Sequence, residues 1–310
     1  MLKIEHLEIP QGKRVICISD IHGSLSLLEQ LLAKIRYSAD DILILLGDFY
    51  LKGPQPRETL AFVMALHQQP HVYVVRGNCD WLGEDYLSDR EKEWLDNLPH
   101  ILEAKEFIFV HAAIAPGRLE DQDEHHCMKT DAFMEQGLSF ERYVVTGHWP
   151  VVNYAHQKPS DNPIVDENSR IIAIDGGCVL KKSGQLNAFI IADGAFSWDF
   201  VDSLPVYRVE KAQAAKGGQL NITWLDRFVE KVEESMEGEE FGLYRHVSTG
   251  KTITLPHDAV WTDKAGNLCE CDCGTDYYLP VEAGDTVSVI YRYRDRIFAK
   301  KDGIAGWIAL

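Results

Sequence analysis

The chain has 310 residues, 45% of them hydrophobic, and a formal net charge of −17. That length suits one large domain plus a small one, each with a core. The acidity, without any Lys/Arg-rich run, argues against nucleic acid as a main partner. No uninterrupted apolar run of about 18 residues exists, which argues against a membrane span. The seven cysteines fit a reduced, cytoplasmic setting better than a disulfide framework, because four of them (Cys17, Cys79, Cys127, Cys178) fall in or beside the expected core. Met1-Leu2-Lys3-Ile4-Glu5 is not followed by the apolar stretch of a signal peptide.

Taken in chain order, Val15–Ser19 is a short continuous apolar run and reads as a buried strand of a parallel sheet. It leads into Asp20-Ile21-His22-Gly23. Ser24–Arg36 reads as a helix capped by Ser24, with Leu28, Leu31, Leu32 and Ile35 on one face. Ile42–Leu46 is a second strand, ending in Gly47-Asp48. Pro56–Gln68 is a second helix, with Pro56 in its first turn and Leu60, Val63 and Met64 as a stripe. Val72–Val75 is a third strand, ending in Arg76-Gly77-Asn78-Cys79-Asp80. Ser88-Asp89-Arg90-Glu91 has capping-box spacing ahead of Trp94, Leu95 and Leu98. Phe107–Val110 runs into His111, and Tyr143–Thr146 into Gly147-His148. Ile171–Ile174 ends in Asp175-Gly176-Gly177-Cys178, followed by the hairpin-like Leu186–Ala192.

The composition changes after about Val209. Lys211–Gln219, rich in Ala, Lys, Gln and Gly, reads as a linker. Thr223–Met236 places Leu225, Phe228, Val229 and Val232 on one helical face, with Gly238 beyond its end. From Leu243 onward, short alternating segments are broken by Gly, Asp and Pro, and Val287–Tyr293 is the clearest strand. These features predict a domain over 1–209, a linker over 210–222, and a helix plus a small all-β module over 223–310.

Ligand sites in open α/β sheets lie beyond the carboxyl ends of the strands. Asp20, His22, Asp48, Asn78, His111 and His148 should therefore converge on one edge. Singly, each has an ordinary explanation. His111 could be a hydrogen-bonded structural group, Asp48 a turn cap, and Asn78 a left-handed turn residue. Six such residues at the ends of five strands, with glycines at flanking turns, point to metal chemistry. A pair of divalent ions about 3.5–4 Å apart can clamp a phosphoryl group and deprotonate water, and needs a carboxylate between them. Asp48 is the natural bridge. Asp20 and His22 would complete one ion, and Asn78, His111 and His148 the other. Mixed His/Asp/Asn ligation suits Mn, Fe, Zn or Co, with Mn placed first.

The segments "SDIHG", "GDFYLKG", "RGNCD", "VHAAIAPG" and "VVTGHWP" resemble the ordered motifs of the calcineurin-like metallophosphoesterases. Order and spacing are closest to the branch holding bacterial Ser/Thr protein phosphatases and diadenosine-tetraphosphate hydrolases. "IIAIDGGCVLKKSGQLNAF" is similar to that branch's closing strand pair. The resemblance covers about residues 13–200. It implies an α/β fold, two sheets in a sandwich flanked by helices, and a metal-dependent phosphoric ester hydrolase using hydroxide bridged by two metal ions. It maps the metal ligands to the same six residues.

Asp48, Cys79 and Asp80 stand as the candidate catalytic residues. Cys79 occupies the position of the family's acid histidine, and a thiol of pKa about 8.5 is a poorer proton donor near neutrality. "GNCD" also resembles a phosphodiesterase-leaning group. Lys52 occupies an arginine position of the family, Leu51 replaces the aspartate before it, and Lys129 aligns loosely with a second arginine. Lys52, Asn78 and Lys129 are thus the candidate substrate-binding residues, with lysine acting as a point charge where arginine would bind bidentately. The expected substrate is a phosphorylated small molecule, a nucleotide or a phosphoprotein. The alternatives are a phosphodiesterase or dinucleoside-polyphosphate hydrolase and, from another class, a non-catalytic scaffold. That scaffold would act through the C-terminal module, whose end "DRIFAKKDGIAGWIAL" resembles an SH3-like barrel and could take a protein partner. Tyr277, Tyr278, Tyr291, Tyr293 and Trp307 could line a groove there, although aromatics in a small barrel usually form core. Cys269, Cys271 and Cys273, with His257, could hold a soft metal, but the spacing favours half-buried strand cysteines.

Overall fold

The computed structural model describes residues 1–81, 87–232 and 239–310. The chain divides into two compact units. The first comprises 1–151, 162–180 and 184–203, and the second 152–161, 181–183 and 204–310. Among the described residues no helix is long and apolar enough to cross a membrane.

The first unit holds two sheets. One orders β1 (Ile4–His6), β5 (Ile101–Glu103), β6 (Phe107–Val110), β7 (Tyr143–Thr146), β9 (Ile171–Ala173) and β8 (Ile164–Asp166). The other orders β11 (Ala195–Val201), β10 (Leu186–Ala192), β2 (Val15–Ile18), β3 (Ile42–Leu45) and β4 (Val72–Val74). Strands β2, β3 and β4 run parallel, as do β6, β7 and β9. The continuous apolar runs follow from this arrangement, because each strand is covered on both faces. Cys17, Ile44 and Phe189 of one sheet meet Leu102, Phe109 and Val145 of the other in a central core. The opposite residues of the second sheet, Ile16, Ile18, Leu43 and Leu45, pack with α1 (Leu25–Lys34) and α2 (Pro56–Leu66). Each fully buried side chain of this kind contributes about 1.5–3 kcal/mol.

The expected helix starts occur, with one difference. Ser24 precedes α1, but its side chain makes no capping hydrogen bond. The capping box forms ahead of α3 (Asp89–Asn97), where Ser88 Oγ accepts from Glu91 N–H and Glu91 Oε2 accepts from Ser88 N–H at 2.7 Å. Register fixes the site. Ile18 pairs with Leu45, and Leu45 with Val74, so the loops after β2, β3 and β4 leave at one level. Val110 pairs with Thr146, which does the same for β6 and β7.

In the second unit the named strands pair antiparallel. One sheet orders β12 (Val206–Arg208), β18 (Thr286–Arg292), β19 (Arg296–Lys301) and β20 (Ile304–Ala309). The other orders β15 (Thr252–Pro256), β14 (Phe241–His246), β13 (Phe228–Lys231), β17 (Leu268–Cys269) and β16 (Trp261–Thr262). The helix expected over Thr223–Met236 does not form in its described part. A 3₁₀ turn, Trp224–Asp226, leads into β13. There Val229 pairs with His246 on one side and Leu268 on the other, so tertiary pairing overrides the helical spacing. Residues 233–238 lie outside the described part.

Lys211–Gln219, expected as a linker, is tied into this unit. Gln213 bridges to Val281 and Lys216 to Tyr278, and Asp276 Oδ1 accepts the N–H groups of Gly218, Gln219 and Leu220 at 3.0, 2.9 and 3.1 Å. Tyr277, Tyr293 and Trp307 are buried and Tyr278 and Tyr291 half-buried, so most of this aromatic set is core.

Candidate metal centre

The site grows out of loops that share backbone hydrogen bonds. Asp20 N–H donates to Gly47 O (3.1 Å), His22 N–H to Asp48 O (2.9 Å) and Gly23 N–H to Phe49 O (2.9 Å). Four of the six expected ligands have left-handed backbones: Asp20 (φ 53°), His22 (47°), Asp48 (54°) and His148 (65°). Non-glycine residues there carry strain of order 1–3 kcal/mol, which the surrounding pairing must hold, and such strain gathers at functional sites. Two glycines make room. A Cβ on Gly77 would sit 2.3 Å from Asp48 Oδ1, and one on Gly147 2.4 Å from Asp20 Oδ2.

Asp48 is the centre of the cluster. Its Oδ2 lies 3.9 Å from His22 Nε2 and its Oδ1 3.5 Å from His111 Nε2. Asp20 Oδ1 is 3.7 Å from His22 Nε2. The Asn78 amide, with its nitrogen assigned to that side, is 3.1 Å from His111 Nε2 and 2.9 Å from His148 Nδ1. The His111 and His148 rings meet edge to face at 5.2 Å. All six expected ligands are thus brought to one place. Among the described residues, three or more metal-capable groups converge only here, as Asp20–Asp48–His111 and as His22–Asp48–Cys79.

The electrostatics suit cation binding. Burial alone would raise the Asp48 carboxyl, but His111, His22 and the Cys79 N–H hold it below its usual range. Burial lowers His22. Burial and then His111 lower His148 to about 4, so its ring is neutral near pH 7. In this cluster three buried groups have atoms without a hydrogen-bond partner among the described residues: Asp20 Oδ1, both nitrogens of His22, and Asp175 Oδ2. Such atoms are costly when left alone. The Asp20 and Asp48 carboxylates, the Asn78 amide and the His22 and His148 imidazoles face one another, some of their atoms without a partner, and fit divalent ions.

Cys79 sits beside Asp48, and its N–H donates to Asp48 Oδ1 at 2.7 Å. Burial and the Asp48 charge push its thiol up to about 12, which makes it a weak acid. The Lys52 ammonium is the cation beside Cys79. Burial works against that cation, but Cys79, Asp48 and Asp20 outweigh it and hold the ammonium above its usual range. Asp80 is not aimed at reacting atoms. Its Oδ2 accepts the N–H groups of Asp48 (2.8 Å) and Gly77 (2.9 Å), and its Oδ1 that of Phe49 (3.0 Å). Lys129 lies at the rim, half exposed, 3.9 Å from Asp131.

Two residues escaped the sequence reading. Asp175 is fully buried at the end of β9; its Oδ1 accepts the Gly177 N–H at 2.7 Å, and burial with the Asp20 charge raises its carboxyl well above the usual range. Its signal was the same strand-end rule that found the others. Asp131 lies 3.0 Å from His148 Nε2 and follows no strand. The three C-terminal cysteines are free, and His257 bonds Tyr244 Oη at 2.9 Å instead of joining them.

The sequence pattern of the family described as calcineurin-like phosphoesterase matches residues 13–177. The chain is 31% identical over 118 residues to the symmetrical bis(5'-nucleosyl)-tetraphosphatase of Vibrio parahaemolyticus and 32% identical over 120 residues to that of Vibrio campbellii. Each match covers 32% of this chain and 44% of the relative, so the chain spans less than half the length of these curated relatives. A crystal structure provisionally assigned as a diadenosine tetraphosphatase superposes with a TM-score of 0.53 at 22% identity, covering 66% of this chain and 100% of that one, which is a likeness of fold. The family pattern runs through every cluster from Asp20 to Asp175, over more than half of the 310 residues, and the chain therefore belongs to the calcineurin-like phosphoesterase family.

Proposed function

We propose that this protein is a metal-dependent phosphoric ester hydrolase whose two divalent ions are held by Asp20, His22, Asp48, Asn78, His111 and His148. The observation that carries this is the Asp48 carboxylate set between two imidazoles, 3.9 and 3.5 Å away, among buried atoms that lack hydrogen-bond partners. When bound, the ions supply Lewis-acid charge and lower the pKa of water. The protein's part is to hold the donors. Asp80 keeps the Asp48 and Asn78 loops together through three backbone N–H groups. Lys52 offers a protonated ammonium to a phosphoryl oxygen, and Lys129 is a weaker candidate for the same task at the rim. Cys79 excludes water and packs Asp48, and gives no proton to a leaving group. Manganese is the first choice of ion for this donor set. Seven free thiols support a reducing, cytoplasmic setting.

The chemistry of Cys79 also favours a substrate class. Without a good acid, the site suits leaving groups that depart as stable anions, such as a nucleotide phosphate or a phenolate. The tetraphosphatase relatives act, by name, on bis(5'-nucleosyl) tetraphosphates, so a dinucleoside polyphosphate is the preferred natural substrate. A phosphodiester or a phosphoprotein is second. The test is a hydrolysis panel with added Mn²⁺ covering aryl and alkyl phosphomonoesters, phosphodiesters and dinucleoside polyphosphates. Hydrolysis led by dinucleoside polyphosphates is the expected result. No turnover of any of these by fully metal-loaded protein overturns the enzyme reading and favours a scaffold acting through the second unit.

A further inference from the structure

The three histidines of the site differ in what holds their other nitrogen. His111 Nδ1 is 2.6 Å from Leu46 O. A carbonyl only accepts, so Nδ1 carries a proton and Nε2 keeps a lone pair toward Asp48. His22 has no hydrogen-bond partner on either nitrogen among the described residues. His148 Nε2 lies 3.0 Å from Asp131 Oδ1, while its Nδ1 faces Asn78 at 2.9 Å. A carboxylate also only accepts, so here the proton is on Nε2 and the lone pair on Nδ1 points into the site.

We infer that Asp131 is a positioning residue that fixes the tautomer and ring plane of His148 and thereby strengthens one of the two ion sites. The inference rests on the metal-centre reading above. The main chain does this work for His111, where no substitution can remove it. For His148 the work falls to a side chain from the turn after a short helix, Glu124–Met128. Asp131 is 52% exposed, His148 only 6% at its side chain. A carboxylate at that level of exposure has little structural reason to hold a buried ring, since exposed pairs typically contribute about 0–1 kcal/mol. Its effect should appear in the metal instead. Partners behind a ligating histidine typically contribute about 10–100-fold in metal affinity.

Two measurements test this. In the first, ¹⁵N NMR of the metal-free full-length protein should report His148 as the Nε2–H tautomer, and Asp131→Ala should turn it into a mixture. In the second, Mn²⁺ competition titrations should show Asp131→Ala weakening one ion roughly 10–100-fold with the other unmoved. Asp131→Asn should fall between, since its amide oxygen still accepts. His148→Ala is the control and should lose the same ion. If His148→Ala loses an ion while Asp131→Ala keeps wild-type affinity and tautomer, the role of Asp131 is overturned alone. If His148→Ala retains both ions at full affinity, the ligand set itself is wrong and the inference falls with it.

Discussion

In the second unit the ammonium of Lys300 is buried to 2% exposure and donates to Ser183 O at 2.5 Å, with Asp161, itself buried, 3.9 Å away. In the first unit Asp20, His22 and Asp48 are just as buried, yet Asp20 Oδ1 and both His22 nitrogens have no hydrogen-bond partner among the described residues. One region closes its buried charge into a local bond. The other gathers donors that do not satisfy one another. Burial of charge alone therefore does not mark a site. Glu270 makes the same point: it is fully buried, with Oε1 accepting the N–H groups of Asp272 and Cys273 at 2.7 Å each and Oε2 without a hydrogen-bond partner among the described residues, yet among those residues no metal-capable pair converges on it. Convergence of unsatisfied groups from several strand ends is the distinguishing feature.

The contrast breaks most sharply at Asp48. Asp48→Asn should remove both ions, since its two oxygens face His22 and His111 separately. Activity should fall by roughly 10³-fold or more, as expected when several kcal/mol of charge stabilisation is lost. Elemental analysis checks it, and unchanged metal content would end the bridging assignment. Next in size is the leaving-group effect. A missing general acid typically costs about 10²–10⁴-fold, felt only where the leaving group needs a proton. Aryl phosphates should exceed alkyl phosphates by a factor in that range. Equal rates, with chemistry limiting, would mean that some other group supplies the proton.

The strand-end candidates were legible because up to three separate regularities coincide at them. A four-residue apolar run fixes a doubly covered strand, a glycine marks the turn, and a donor follows at once. Asp48, Asn78 and His148 meet it in full, each directly after a glycine; Asp20 and Asp175 have their glycine just after them, and His111 follows its strand without one. Asp131 does not, because its place opposite His148 comes from how a short helix ends and not from any local spacing. Asp80 was legible as a member of the site but not by role; only geometry shows three N–H groups filling its oxygens. The second unit was harder to read. Leu225, Phe228, Val229 and Val232 satisfy a helical stripe, yet the partners that make Phe228–Lys231 a strand lie up to about 40 residues away in sequence. Lys211–Gln219 has linker composition, and its order comes from Asp276, more than 50 residues on.

The second unit should respond to Lys300 in stability and not in metal. Lys300→Met leaves Ser183 O and Asp161 without the ammonium, and removing one partner of a buried charged pair costs about 3–5 kcal/mol. Urea unfolding should show that loss while metal stoichiometry stays at the wild-type value. A fall in metal content would overturn this expectation. Truncation is the cruder form of the same experiment. A chain ending at Val209 keeps 152–161 and 181–183 but removes most of the unit they belong to. It should aggregate, as size-exclusion chromatography would report.

The smallest expected effect is also the most specific to the site. Lys52 sits in the loop after β3 with φ 83°, and its ammonium lies beside Cys79 within range of the Asp48 and Asp20 charges. Those carboxylates keep it protonated, so it has a donor free for phosphate at any working pH. A charge-assisted contact contributes about 1.5–3 kcal/mol. Lys52→Ala should therefore lower kcat/KM by roughly 10–150-fold without removing either ion. Lys52→Arg should retain or improve it, because a guanidinium binds phosphate bidentately where the ammonium binds as a point. The pair of substitutions separates two explanations of any loss. If both variants lose activity alike, the left-handed loop needs this lysine for its shape. If neither changes kcat/KM, the ammonium serves Cys79 and the carboxylates alone, and the donors that converge at this edge recognise phosphate without it.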